Sequence, residues 1–279
     1  MSTPASVDER TSSGRVGGLL GSLRVLPGGT GGRRALRLIE RNLLVYRSRW
    51  VLIVSGAVEP LFYLLSIGVG LGHLVGRIDG VPYRHYLAPA LLATAAMNGA
   101  VFDSTFNIFW KLKYQKTYDA VLATPLGVLD VALGEIGWAL MRGALYALSF
   151  LLVMLALGLV HSAWVVLALP AAVVIGFGFA GAGMAASLFM RSWQDFEFVQ
   201  LVIVPLSLFS GTFYPLSTYP GWLQLVVQAT PLYHGVALLR ALSLGHVTLA
   251  VAGHVVYLVA MGTAGLAVAA PRLQRLLLR

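Results

Sequence analysis

The 279 residues include no cysteine, which excludes a disulfide framework, a thiolate metal site and thiol redox chemistry. Charge is scarce. Asp, Glu, Lys and Arg make up 11% of the chain, against about 25% in a soluble globular domain. Lysine is scarcer still, with three residues at positions 111, 113 and 116. None follows a glycine, so the chain has no phosphate-cradling Gly-Lys-Ser/Thr loop and nothing in it to hydrolyse ATP. A His-Glu-x-x-His zinc pattern is also missing, and the six histidines, His73, His85, His161, His234, His246 and His254, are scattered. At least four fall near predicted outer ends of apolar spans, where an interfacial position is the default, so no metal site is expected.

What is abundant is hydrocarbon. Hydrophobic residues are 58% of the chain, and the mean hydropathy is +0.79. Runs such as 143–160 and 249–270 carry no charge and approach or reach the roughly 20 residues that cross a hydrocarbon core of about 30 Å. They do not alternate like barrel strands, which are segments of about 10 residues. The expected fold is an all-α integral membrane protein.

A net charge of +9 invites a nucleic-acid reading, but the placement of the charges argues against one. Arg10, Arg15, Arg24, Arg33, Arg34, Arg37, Arg41, Arg47 and Arg49 precede the first span. Lys111, Lys113, Lys116, Arg191, Arg272, Arg275 and Arg279 fall in later segments of the same predicted side. Arg77, Arg84 and Arg240 are left for the other side, and Arg142 lies within a span. The positive-inside rule then predicts two cytosolic termini and an even number of crossings. Membrane orientation accounts for the basicity, and no nucleic-acid partner is expected.

Residues 1–32 are rich in Ser, Gly and Pro and read as a flexible cytosolic N-terminus; PGGTGG at 27–32 is linker. No apolar core followed by a small-residue cleavage site marks a signal peptide there. Over 33–50, Leu36, Ile39, Leu43, Tyr46 and Trp50 recur at helical spacing with arginines largely elsewhere on the wheel. That pattern predicts an amphipathic helix in the interface, its arginines on anionic headgroups of membrane lipids. Six spans are predicted at about 51–72, 86–109, 131–157, 164–189, 196–212 and 248–270, within a transmembrane domain at 51–270. A basic cytosolic tail, 271–279, follows. The apolar stretch 214–245 is cut by Pro215, Pro220, Gly221 and Pro231 into pieces too short to cross, which predicts a re-entrant helical hairpin before the last span. Glycines 176, 178, 181 and 183 in the fourth span predict close helix packing.

Ionisable groups inside spans are costly and therefore informative. Glu59, followed by Pro60, lies in the first span. Asp103 forms a polar strip with Asn98 and Asn107 in the second. Glu135 and Arg142 share one face of the third and are a candidate intramembrane ion pair, or else contact a neighbouring helix. Aromatics on the first, second and fifth spans, Phe62, Tyr63, Phe102, Phe106, Phe109, Phe196, Phe198 and Phe209, read either as bundle packing or as the lining of a path for an amphipathic substrate. Glu59, Tyr63, Asn98, Phe102, Asp103, Phe106, Phe196 and Phe209 are the candidate path residues.

The stretch KLKYQKTYDAVLATPLGVLD, 111–130, holds all three lysines between two apolar spans. Tyr114, Tyr118 and Leu122 follow at i, i+4 and i+8 beside Lys113, Gln115, Lys116, Thr117 and Asp119. Such a stripe predicts a short helix at about 115–123, stopped at Thr124-Pro125, that either seats in a partner's groove or rests on the bilayer.

EPLFYLLSIGVGLG (59–72), YLAPALLATAAMNGAVFDSTF (86–106), KYQKTYDAVLATPLGVLDVALGEIGWALMRG (113–143) and PLSLFSGTFYPLSTYPGWLQLVVQATPLYHGVALLRAL (205–242) together resemble the ABC-2 type transporter permeases. The resemblance is to the branch of the nodulation lipo-oligosaccharide exporters and daunorubicin-type drug-efflux permeases, and it runs from about residue 33 to the C-terminus. It implies a non-catalytic permease in the bacterial inner membrane that moves an amphipathic drug, lipid or glycolipid outward. ATP and Mg would be bound by a separate ABC-type ATPase subunit, with no cofactor on this chain. A second permease copy or a paralogue would complete a dimer, and residues 115–123 would be the coupling helix. The alternative is a proton-coupled carrier using Glu59 and Asp103.

Overall fold

The computed structural model describes Glu40 and residues 58–115, 117–118 and 127–277. The interfacial helix expected at 33–50, apart from Glu40, and most of the helix expected at 115–123 lie outside the described residues. The described residues are built almost wholly of helices. Helix α1, Val58–Val69, winds as a wide π turn over Leu64–Val69, and α2 follows at Gly72–Val75. A two-stranded antiparallel hairpin, β1 (Arg77–Ile78) and β2 (Val81–Pro82), reverses the chain. Its turn residues Asp79 and Gly80 have φ of 49° and 79°, the left-handed geometry that a two-residue Asp-Gly turn supplies.

Helix α3, Tyr83–Phe102, passes through a π turn at Asp103–Asn107 into α4, Ile108–Lys113. This continuous rod is the axis of the molecule. Leu87, Ala88, Ala90, Leu92, Ala93 and Met97 are fully buried, because α1, α5, α6 and α9 pack around it. Helix α5 is Val128–Ala156, and α6 is Ala168–Ser187 after a 3₁₀ turn at Ala163–Leu167. Helix α7, Phe196–Leu208, contributes no buried residue. It ends four residues before the expected 212. Helices α8 (Gly221–Ala229) and α9 (Pro231–Leu244) follow, then α10 (Ala250–Leu277).

Among the described residues, α5, the 163–187 segment and α10 are long and apolar enough to cross a membrane, and α8 and α9 pass that test only as a pair bent by 85°. Thr230, at the bend, donates through its hydroxyl to the Val227 carbonyl (2.7 Å) and lies 3.2 Å from the Ser210 hydroxyl. α10 runs past Pro271 to Leu277, so the residues expected as a basic tail begin as helix. Arg272 holds that extension down: its Nε donates to the Leu188 carbonyl at 3.0 Å and its guanidinium covers the Phe189 ring at 3.8 Å.

The glycines of α6 are packing residues. A Cβ on Gly178 would meet the Leu258 carbonyl oxygen at 2.9 Å, and Gly181 lies directly against the backbone of Gly262 and Gly265 in α10. Small residues on both helices let the two backbones touch.

Candidate functional site around the π turn

The polar centre of the bundle is the π turn of the α3 rod. A π turn carries one extra residue and is frequent at functional sites. Here it places Asp103, 4% exposed, against α5. The carboxylate accepts a hydrogen bond from Asn107 Nδ2 at 2.7 Å and is ion-paired with Arg142. Two turns further along the rod, Lys111 Nζ bonds Glu135 Oε2 at 2.6 Å. The rod and α5 run antiparallel, so Asp103 meets Arg142 at one level and Lys111 meets Glu135 at the next. Glu135 and Arg142 are therefore not bonded to each other; of the two readings that their shared face offered, an ion pair or contact with a neighbouring helix, the second is the one found. Seven residues put them about 10 Å apart along one helix, and opposite charges stand closer on the neighbour. Lys111 is the residue that the sequence reading left out of this network. Its signal was the i, i+4, i+8 series Asp103, Asn107, Lys111.

Beside this ladder runs a second one, of rings. Phe102, Phe106, Trp110 and Tyr114 follow at i+4 intervals, stacked at centroid distances of 4.9, 6.4 and 4.7 Å. Trp193, from the turn before α7, and Phe196, the first residue of α7, close on Phe106 at 5.1 and 5.8 Å. Offset and edge-on aromatic pairs at these distances contribute about 0.5–1.5 kcal/mol each beyond area burial. Of the candidate path residues, Phe102, Phe106 and Phe196 come together here; Trp110 and Trp193 join them unforeseen. Phe209 does not, since it packs on Tyr219 at 6.3 Å. Glu59 and Tyr63 line a separate recess of about 540 Å³ on α1 with Val58, Phe62 and Ser66. Asn98 is half-buried on α3.

The predicted docking stripe is interrupted. α4 ends at Lys113, Tyr114 caps it, and the chain bends at Gln115. Tyr114 is 57% exposed, whereas Tyr118 is 2% exposed and belongs to the protein's own core. The i+4 spacing holds only within one helix, and the bend rotates Tyr118 inward. Thr117 donates to the Gln115 side chain at 3.3 Å; Lys116, Asp119 and Leu122 lie outside the described residues. Before α7, Asp195 closes its own turn, accepting from the backbone amides of Arg191 (2.6 Å) and Ser192 (3.1 Å). Those amides hold its carboxyl below the usual carboxylate range.

Among the described residues no three His, Asp or Glu side chains cluster as metal ligands. The arrangement is that of a membrane-embedded rod with charged and aromatic contacts running to its end. The family model of the ABC-2 type transporters matches residues 34–244.

The chain belongs to the ABC-2 type transporter family.

Its relatives agree. Nodulation protein J of Rhizobium leguminosarum bv. trifolii is 35% identical over 84% of this chain and 89% of its own length. Nodulation protein J of Rhizobium meliloti is 34% identical over 74% and 79%. The inner membrane transport permease YadH of Escherichia coli is 25% identical over 66% and 73%. This ABC-2 permease groups with the nodulation branch and is a multi-pass membrane component of transport.

Proposed function

We propose that the permease is the membrane subunit of an ATP-driven exporter. A separate ABC-type ATPase binds and hydrolyses ATP with Mg, and docks at the segment that follows α4. Six helical regions cross the membrane, both termini are cytosolic, and α8 and α9 form a re-entrant hairpin. A second permease copy, identical or paralogous, completes the conduit, and the cargo is an amphipathic drug, lipid or glycolipid.

The observation that carries this reading is the rod itself. One unbroken helical path joins the buried Asp103–Arg142 pair to the exposed Tyr114. A push at Lys113 and Tyr114 therefore reaches the centre of the bundle through stacked rings and ion pairs rather than through a slack loop. Residues along such contiguous contacts modulate coupling by about 0.5–2 kcal/mol. Tyr114→Ala is accordingly expected to lower permease-stimulated ATP hydrolysis about fivefold, within that range, while the protein still inserts.

The deciding experiment copurifies the permease with its ATPase and follows transport in vesicles. Substituting the partner's phosphate-loop lysine should stop transport. Transport that survives this change, yet collapses with the proton gradient, would establish the carrier reading on Glu59 and Asp103 instead.

A further inference from the structure

We propose that His234 and His254 form a proton-sensitive clasp between α9 and the start of α10. The clasp is closed while the two rings carry at most one added proton and opens when both are protonated. It holds whatever drives transport, and so stands apart from the exporter reading.

The histidines are scattered in the sequence, but the fold gathers these two. His234 lies in the first turn of α9 and His254 in the second turn of α10, with their Nδ1 atoms 2.7 Å apart. Two ring nitrogens at that distance share a hydrogen bond, which needs one N–H and one lone pair. The neutral pair has both. One added proton leaves them in place, because a charged ring then donates to a neutral one, and charge-assisted bonds are the stronger kind. A second proton takes the lone pair. The two rings then hold four N–H donors, two positive charges and no acceptor, and the contact is lost.

The surroundings decide which ring lets go. Tyr257 of α10 stacks on His234 at 3.9 Å, while its hydroxyl donates to the Ala229 carbonyl at 2.8 Å. A cation on a tyrosine face is attracted to it, so a protonated His234 keeps its place. Tyr233 meets both rings edge-on, His234 at 5.8 Å and His254 at 6.2 Å. Among the described residues, these two tyrosines are the titratable side chains packed on the pair. α6 and α8 carry no ionisable side chain, and α10 carries none besides His254 and Tyr257 before Arg272. Arg240 of α9 is committed to the Gly211 carbonyl and to the ring of Tyr86 on α3, and Glu135 and Arg142 of α5 are ion-paired to the rod. No carboxylate among the described residues is ion-paired with either ring, so a second charge is not neutralised. Both rings are half-buried and open to protons from water. His254 is therefore the ring that swings out, freeing the first turns of α10 from α9. Histidine clusters of this kind switch at about pH 5–6.

The test follows backbone amide exchange over residues 250–256 of the full-length permease in nanodiscs. Rates are compared between variant and wild type at one pH, which cancels the intrinsic pH dependence of exchange. At pH 8, His254→Phe keeps a ring but no nitrogen and should exchange about fivefold faster than wild type, the equivalent of one net hydrogen bond. At pH 5 that ratio should fall to about one, because the wild-type clasp is already open. His234→Phe removes the other partner and should give the same ratios, so the result does not hang on the folding of one variant. Both variants keep His85 and His161, the other close pair of rings at 4.4 Å, so a pH effect belonging to that pair cancels. His254→Asn supplies the converse. An amide can donate through its nitrogen or, turned over, accept through its oxygen. This variant should match wild type at pH 8 and exchange about fivefold more slowly than wild type at pH 5. The proposal is overturned by a phenylalanine ratio that is equal at the two pH values, or by an asparagine variant that loses protection at pH 5 as wild type does.

Discussion

Arg142→Met is expected to lower the stability of the folded permease by about 3–5 kcal/mol, the cost of removing one partner from a buried ion pair. The Asp103 side chain is 2% exposed and that of Arg142 13%, so neither charge is left to water when the other is removed. Asp103 would keep only the Asn107 hydrogen bond, with its second oxygen already lacking a hydrogen-bond partner. At this chain length such a loss corresponds to a fall of about 10 °C in unfolding temperature. The double variant Asp103→Asn with Arg142→Met removes both charges and keeps an amide beside Asn107. It should recover most of the loss, because the two charges cost nearly as much to bury as they return when paired. Thermal unfolding in detergent, followed by the monodisperse fraction, separates the outcomes. Equal losses in the single and double variants would show that the helices are held by packing and that the pair is incidental.

The same pair shows what could be read before the structure and what could not. That Asp103, Glu135 and Arg142 sit inside apolar segments was plain, and the family branch followed from the order of four segments that the family match later covered. Their partners were not plain. A helix wheel reports which residues share a face, and Glu135 and Arg142 do share one. It does not report which helix stands opposite, nor at what height, and both facts depend on the π turn that shifts the rod by one residue at Asp103–Asn107. The stripe from Tyr114 to Tyr118 is interrupted for a related reason. A period of four is evidence only while the helix continues, and the break at Tyr114–Gln115 carries no proline or glycine to announce it. The aromatic ladder was half visible: the i+4 recurrence from Phe102 to Tyr114 lies in the sequence, whereas Trp193 and Phe196 reach it only through the α6–α7 turn.

The contact between α6 and α10 should be the least forgiving in the molecule. Gly253 and Gly265 both lie in α10, which makes them a matched pair. A Cβ on Gly253 meets nothing within 4 Å, whereas one on Gly265 meets the Ala182 nitrogen at 2.6 Å and the Gly181 carbonyl closer still. Gly253→Ala should therefore be neutral or stabilising, by up to about 1 kcal/mol from the helix preference of alanine. Gly265→Ala should cost about 3 kcal/mol, the upper end for overpacking. The obstructing atoms are backbone, which no rotamer change can move aside. The only relief is to part the two helices along their whole seam, and that would undo the neighbouring contacts at Gly178, Gly181 and Gly262 together. Unfolding temperatures for the two single-methyl variants test this directly. Equal stability in both would mean that α6 and α10 can separate freely, and that their close approach is not what holds the last helix to the bundle.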